Sequence, residues 1–413
     1  MSTSQLTTSE ASTFSSRLEG EMKMRPHQET QSLRSAEVSL LRVADLQPDD
    51  VDAWKVLARQ ALDPNPFFEP EFVLPLEAAR RQDDVHLLVL SDARRWLFCM
   101  PVVVRWGWRK MPVPVLSTWL SQYTFLGTPL VAAERPDALI ELLQNVGAVH
   151  SGLLLFEWVG GHGSVSSHLA RALSECGSPI VLWERFERAA VQPSLDAGRH
   201  ISTRRKAELA RRRRALEREF GTSVTLVDRT GDPEAVDEFL ALESSGWKGR
   251  ERTAIASNAS DSEFFRQICS DLAAAGRLRM LALTCSRTVA MQCNFVADGI
   301  LFGFRTCYDE SLSRFSPGAL LLQDAIEDSR IHGGVWFDSC TAPDNDLCNR
   351  LMPDREQIET FVVGRPSTVG SMLIVTMRAA AFLRRTRIQM REHGVLNYRH
   401  WLGLERKLRV TGP

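Results

Sequence analysis

From Arg305 the chain reads Arg-Thr-Cys-Tyr308-Asp309-Glu310, then a short loop, then Ser316-Pro317-Gly318-Ala319-Leu320-Leu321. Ser316 suits a helix N-cap and Pro317 the first helical position. Gly318 and Ala319 leave the first turn bare of side chains, which exposes unpaired amides at the positive end of the helix dipole. An end of that kind can hold a diphosphate without any lysine. An ordinary capped helix shows the same residues, so position has to decide between the two. This helix follows a strand, at the end where ligands bind in mixed α/β sheets.

The elements around this junction are regular. Leu278 to Cys285, Val289 to Ala297 and Ile300 to Tyr308 are three apolar-rich runs. Ser286–Arg287–Thr288 joins the first two and Asp298–Gly299, a strong hairpin signal, joins the last two, which makes an antiparallel meander. A helix over Pro317 to Ile331 and a strand over Val335 to Ser339 follow, implying a parallel pair with a crossover. Ile358 to Val363 supplies a last strand. Upstream, Ser223 to Val227 reads as a strand, Pro233 to Glu243 as a helix capped at Asp232, and Ser262 to Ala275 as a helix stopped by Gly276.

The first half repeats this order. A helix over Asp49 to Leu62 precedes a turn at Pro64 and Pro66. Strands follow over His86 to Leu90 and Trp96 to Arg105, then a helix over Pro136 to Val146. A strand over Leu153 to Val159, a helix over Ser164 to Cys176 and a strand over Ile180 to Phe186 complete the half. Phe156–Glu157–Trp158 echoes Trp336–Phe337–Asp338. The fold class is therefore α/β, of mixed α+β character, with two related units in tandem. The expected divisions are a disordered tail over 1–37, an N-terminal unit over 38–190, a basic helical connector over 191–222, a C-terminal unit over 223–366 and a basic helical segment over 367–413.

At 413 residues, 44% apolar, 24% charged and with a net charge of −1, the chain is a soluble globular type with no global bias toward nucleic acid. The charge is local instead. Arg199 to Phe220 holds nine basic residues against three glutamates, and Met377 to Arg409 nine against two. These read as solvated helix faces, or as contacts to a membrane surface or a protein partner; without interleaved stacking aromatics they argue against nucleic acid. Eight cysteines without a Cys-x-x-Cys pair give no zinc pattern, so reduced thiols, a cytoplasmic location and no metal are expected.

Glu243-Ser-Ser-Gly-Trp247-Lys248-Gly249, Thr253, Phe264–Phe265, the meander, Tyr308–Asp309, Ser316-Pro317-Gly318 and Asp338 together resemble the GNAT domain of CelD/BcsL-type acetyltransferases, a cellulose-biosynthesis-associated family. The likeness spans residues 45 to 365 and is sharpest over 235 to 345. It implies two GNAT-like domains, a mixed and mainly antiparallel sheet, and one splayed parallel strand pair where acetyl-CoA or another acyl-CoA lies. The coenzyme contacts it implies are Arg305, Ser316, Pro317, Gly318, Ala319 and Leu320. It also implies acyl transfer to a small-molecule or saccharide acceptor, an amine or a sugar hydroxyl, with a link to exopolysaccharide or cellulose production. The usual glycine-rich phosphate loop of the family is reduced here to Ser-Pro-Gly.

Acyl transfer needs a base for the acceptor proton, donors for the developing oxyanion and an acid for the departing thiolate. Glu243, at a helix end beside glycines, is the expected base. Lys248 binds an anionic acceptor or pairs with Asp309, and Trp247 walls the pocket. Tyr308, one of three tyrosines, donates to the leaving sulfur. Asp338 lies in an apolar strand and needs a partner there, as a site carboxylate or as the cap of a neighbouring loop. Two alternatives remain: a FemAB-like aminoacyl transferase, which pairs two GNAT-like domains and carries a basic helical arm, and a GNAT-like scaffold without chemistry.

Overall fold

A computed structural model of the chain describes residues 36–80, 83–93, 95–109, 111–192, 202–331, 336–365 and 372–379. The expected N-terminal tail lies outside them up to residue 35, and so does the basic C-terminal segment from residue 380. Strand β1 already begins at Glu37.

In chain order, β1 (Glu37–Arg42), α1 (Pro48–Arg59), α2 (Pro70–Ala79), β2 (Val85–Asp92), β3 (Arg95–Trp108), β4 (Met111–Thr118) and β5 (Leu130–Val131) lead to α3 (Ala138–Asn145). β6 (Leu153–Gly160), α4 (Ser164–Glu175) and β7 (Ile180–Val191) close the first half. The second half holds α5 (Thr203–Phe220), β8 (Thr225–Asp228), α6 (Ala235–Ser245), α7 (Trp247–Arg250) and α8 (Ala259–Ala274). It continues with β9 (Leu278–Thr284), β10 (Thr288–Ala297), β11 (Ile300–Tyr308), α9 (Pro317–Ile331), β12 (Trp336–Asp338), α10 (Asp346–Leu351) and β13 (Asp354–Val363).

Local chemistry sets many of these limits. Asp298 and Gly299 both take positive φ, 45° and 70°, as a two-residue primed turn demands. Gly276 closes α8 at φ 67°. Proline-rich sequence hid α2, which has Pro70 in its first turn and Pro75 inside it. It also hid β4, where Pro112 and Pro114 precede the stretch Val115–Ser117 that pairs with β6, so their missing amides cost that pairing nothing.

The thirteen strands among the described residues form one sheet, ordered β1-β2-β3-β4-β6-β13-β7-β12-β11-β10-β9-β8 with β5 off the path. Exchanging β1 with β8, β2 with β9, β3 with β10, β4 with β11, β6 with β12 and β7 with β13 returns the same order read backwards. The tandem likeness is thus built into the sheet, and Phe156–Trp158 and Trp336–Asp338 lie on equivalent strands. Each half also lends its last strand to the other: β13 pairs with β6, and β7 with β12. The parallel pairs are β4·β6 and β11·β12; all other pairs are antiparallel.

One core cluster joins Trp54 of α1, Phe72 of α2, Phe239 of α6 and Phe264 and Phe265 of α8 to Phe295, Phe302 and Phe304. A second sets Leu209 and Leu216 of α5 and Leu320 and Leu321 of α9 on Leu281, Leu301 and Phe337. Among the described residues no helix is long and apolar enough to cross a membrane.

Where the lent strands cross, Arg188 of β7 and Asp338 of β12 form an ion pair at 2.5 Å with both side chains buried. Burial works against the Arg188 charge, yet Asp338 beside it, together with Cys340 and Glu356, outweighs that and holds the guanidinium's pKa above its usual value. Asp338 also accepts the Cys340 amide at 3.0 Å, as a loop cap does. Asp338→Ala leaves a buried guanidinium unpaired and is expected to cost about 3–5 kcal/mol of stability by chemical denaturation. A paired Arg188→Met, Asp338→Leu variant is expected to recover most of that loss.

Candidate functional site

β11 is held by β12 only at Ile300–Phe302. The Ser339 backbone still lies against Gly303, but from Phe304 to Tyr308 no strand among the described residues lies along that side, and the Thr306 carbonyl there accepts from Lys248 Nζ at 3.2 Å. A small cleft of about 30 Å³ follows this edge and is lined by Glu243, Trp247, Lys248, Thr306 and Tyr308 among others. Four of the five residues expected to act in catalysis therefore meet in one place; Asp338 does not join them.

Glu243 is buried at the end of α6, and both of its oxygens are engaged. Lys248 Nζ donates to Oε1 at 2.8 Å and the Ile255 amide to Oε2 at 2.8 Å. Lys248 accordingly pairs with Glu243 and not with Asp309, which is taken by Arg287. The glycines nearby serve close packing of the chain on itself. A Cβ on Gly249 would lie 1.8 Å from the Ser244 carbonyl oxygen, so α7 can fold back under α6 only with glycine there. Trp247 is 46% exposed and walls the cleft without filling the core. Glu310, which sequence reasoning missed, fixes α7 by accepting the Trp247 amide and the Arg250 guanidinium. Those two contacts hold its carboxyl below the usual carboxylate range. No local pattern marks Glu310, because both partners lie about sixty residues upstream.

The start of α9 differs from expectation in one respect. Ser316 adopts a left-handed backbone, φ 53° and ψ 56°, which carries its side chain away from the helix amides. Its carbonyl, not its hydroxyl, caps the helix, accepting from Ala319 and Leu320 at 3.0 and 3.2 Å. The hydroxyl accepts from Arg212 of α5. Among the described residues the Gly318 amide has no acceptor. Pro317 to Leu320 are buried, and a Cβ on Gly318 would lie 3.4 Å from the Tyr308 ring. Tyr308 therefore joins the cleft to the helix start. Arg305 points elsewhere: its guanidinium lies 5.2 Å over the Tyr123 ring.

The basic helix α5 is only partly a solvated face. Besides Arg212, Arg213 pairs with Asp324 of α9 and donates to the Val224 carbonyl at 3.1 Å, while Arg211 and Arg214 are exposed.

Residues 203–346 match the family model described as an acetyltransferase (GNAT) domain. The chain carries an acyl-group transferase domain. GNAT domains of this kind use acyl-CoA as co-substrate, and the matched region opens at the first residue of α5, so the basic helix lies within it. Among solved structures the chain is similar to FemX, at 9% identity and TM-score 0.50, over 76% of this chain and 95% of that one. It is also similar to a conserved protein of unknown function from Bacteroides thetaiotaomicron VPI-5482, at 12% identity and TM-score 0.47, over 77% and 97%. A tandem GNAT protein from the clavulanic acid biosynthesis pathway aligns at 12% identity and TM-score 0.36, over 79% and 98%. The likeness to FemX concerns the fold alone. No curated protein matches the sequence.

The equivalent gap in the first half is closed by its own chain. Beyond the β4·β6 pairing, Thr118 Oγ1 donates to the Leu155 carbonyl at 3.0 Å and accepts the Glu157 amide at 3.0 Å. The Gly127 amide donates to the Trp158 carbonyl at 2.8 Å, and the Gly160 amide to Thr128 Oγ1 at 2.9 Å. A Cβ on Gly127 would stand 1.9 Å from the Glu157 carbonyl oxygen. Among the described residues the gap beside β11 is the open one of the two, so calorimetric titration with acetyl-CoA is expected to give one site per chain. Two sites would mean that residues 118–128 leave β6.

Proposed function

We propose that the chain is an acyl-CoA-dependent acyltransferase that acetylates an amine or a sugar hydroxyl within 203–346, with the coenzyme along the open side of β11. The observation that carries this reading is the edge Phe304–Tyr308, unpaired among the described residues, which leads straight to the Ser-Pro-Gly start of α9. The residues present fit a diphosphate there. Among the described residues the Gly318 amide has no acceptor, no side chain projects from Gly318, and Arg212 stands at Ser316. Arg212 supplies the cation that compensates for a phosphate loop with few glycines. On binding, its guanidinium turns from the Ser316 hydroxyl and from Glu208, with which it pairs at 2.6 Å, to phosphate, and the Tyr308 ring swings off Gly318 toward the thioester sulfur.

In this reading Glu243 is the base. An acceptor ammonium takes the place of the Lys248 ammonium at Oε1 and gives up a proton to the carboxylate. The amine then attacks the thioester carbonyl, and Tyr308 protonates the departing thiolate. Asp338 supports the site only through the strand seam. The resemblance to CelD/BcsL-type proteins adds the proposal of a saccharide acceptor in exopolysaccharide production, and of a cytoplasmic enzyme whose basic helical segments meet a membrane surface or a protein partner. In the same reading 38–190 is a GNAT-like unit that serves as a wall, and 223–366 together with α5 is the catalytic unit. The fold shared with FemX is the observation favouring a FemAB-like aminoacyl transferase. Against it stands the single helix α5, where such an arm has two long antiparallel helices.

Gly318→Asp is expected to abolish acetyl-CoA binding, and Arg212→Ala to weaken it about tenfold, with folding intact in both. Unchanged calorimetric affinity in the two variants would remove the phosphate site and favour a scaffold. Glu243→Gln is expected to lower turnover by about 10²-fold or more while leaving coenzyme affinity unaltered. Normal turnover in that variant takes the base role away from Glu243.

A further inference from the structure

We propose that the acceptor carries an anionic group, a carboxylate or a phosphate ester, and that Arg305 binds it on the face of the sheet shared with Tyr123 and Asp261. The chemistry rests on the acyltransferase reading, whereas the anion site rests on its own geometry. In the β10·β11 register Arg305 opposes Cys293 and Gly303 opposes Asn294, which leaves Phe304 as the extra residue of a bulge. A bulge breaks the alternation of side chains and re-aims the residue after it. Phe304 and Cys307 accordingly both enter the first core cluster, Thr306 is exposed, and Arg305 turns to the Tyr123 side, away from α9.

What it meets there is a polar cluster with one charge left over. The Tyr123 hydroxyl donates to Asp261 Oδ2 at 2.9 Å, and Arg80 Nη2 and Gln122 Nε2 donate to the same oxygen at 3.1 and 3.3 Å. Arg80 also lies 5.7 Å over the Tyr123 ring. Arg80 and Asp261 neutralise each other. Burial and the Asp261 carboxylate raise the Tyr123 phenol well above its usual pKa, so it stays uncharged. Arg305 has neither a carboxylate nor a hydrogen-bond acceptor among the described residues, and its Nε is buried without a partner. A half-buried guanidinium with an unmet donor is costly, and an anion in front of it supplies both the charge and the paired acceptors that the fork geometry fits.

The position suits an acceptor. The carbonyl of the next residue, Thr306, holds Lys248, so the anion site and the Glu243–Lys248 pair share one strand end. Gln122 and Tyr123 come from the loop after β4, so the first half walls the acceptor site of the second. With the anion on Arg305, the acceptor nitrogen attacks the thioester carbonyl. A C–N bond forms and the C–S bond breaks. Glu243 keeps the proton taken from the acceptor ammonium, and the newly attached nitrogen sheds its second proton to water. The thiolate leaves as the thiol of coenzyme A with the Tyr308 proton, which Tyr308 regains from water.

The test uses acceptor pairs that differ in charge: glucosamine 6-phosphate against glucosamine, and 4-aminobutyrate against butylamine. For the full chain, kcat/KM is expected to favour the charged member of one pair by about tenfold or more, and the favoured pair tells phosphate from carboxylate. Arg305→Met is expected to erase that preference with acetyl-CoA affinity unchanged. No preference in either pair, or an equal loss for both members in the variant, overturns the proposal. If acetyl-CoA fails to bind the wild-type chain, the acyltransferase reading falls first. Thermal-shift titration with glucosamine 6-phosphate and 4-aminobutyrate alone then decides the anion site: saturable stabilisation that Arg305→Met removes supports it, and no stabilisation refutes it.

Discussion

Two charges out of reach of water hold the middle of this molecule together. Arg188 and Asp338 stand where β7 and β12 meet, and Arg188 also donates to the Phe125 carbonyl. Glu356, opposite Arg188 on β13, sits in the same field; burial and the nearby Asp338 raise its carboxyl above the usual carboxylate range. One guanidinium thus serves an exchanged strand, its neighbour and the loop that closes the first-half gap. Apolar residues could fill the same volume, but they would not fix the register of three strands and a loop at once. The seam leaves the two halves no hinge, because each contains a strand of the other.

Within that rigid frame the two halves have different fates. Both have a parallel pair that ends early, β4·β6 and β11·β12. In the first, Thr118, Gly127 and Thr128 take up the exposed backbone groups. In the second, beyond Gly303, the Thr306 carbonyl is met by the Lys248 ammonium, a side chain that can move aside. A segment bonded at four backbone positions of β6 leaves less readily than one lysine does, and this difference separates a wall from a binding edge.

Much of the architecture was legible in the sequence because it is set by local rules. The meander, its Asp298–Gly299 turn, the Gly276 stop and α9 from Pro317 to Ile331 follow from turn chemistry and apolar period. The strand exchange was not legible, since pairing of β13 with β6 depends on partners far apart in the chain. The site divides the same way. Glu243, Trp247, Lys248 and Tyr308 are singled out by type and position, and they line one cleft. Arg212 and Glu310 were missed because their partners come from distant elements, and the left-handed Ser316 looked like an ordinary cap. The aim of Arg305 hinges on a bulge, which no composition or spacing reveals.

The exchanged strands also dictate an order of events as the chain leaves the ribosome. Trp158 at the end of β6 and Thr360 of β13 bond across 202 residues of sequence. The first half therefore cannot complete its sheet when it emerges; an apolar edge waits open until almost the whole chain has been made. Such long-range pairing slows folding and leaves a sticky margin in the nascent protein, so maturation should be sensitive to holding chaperones and to translation speed.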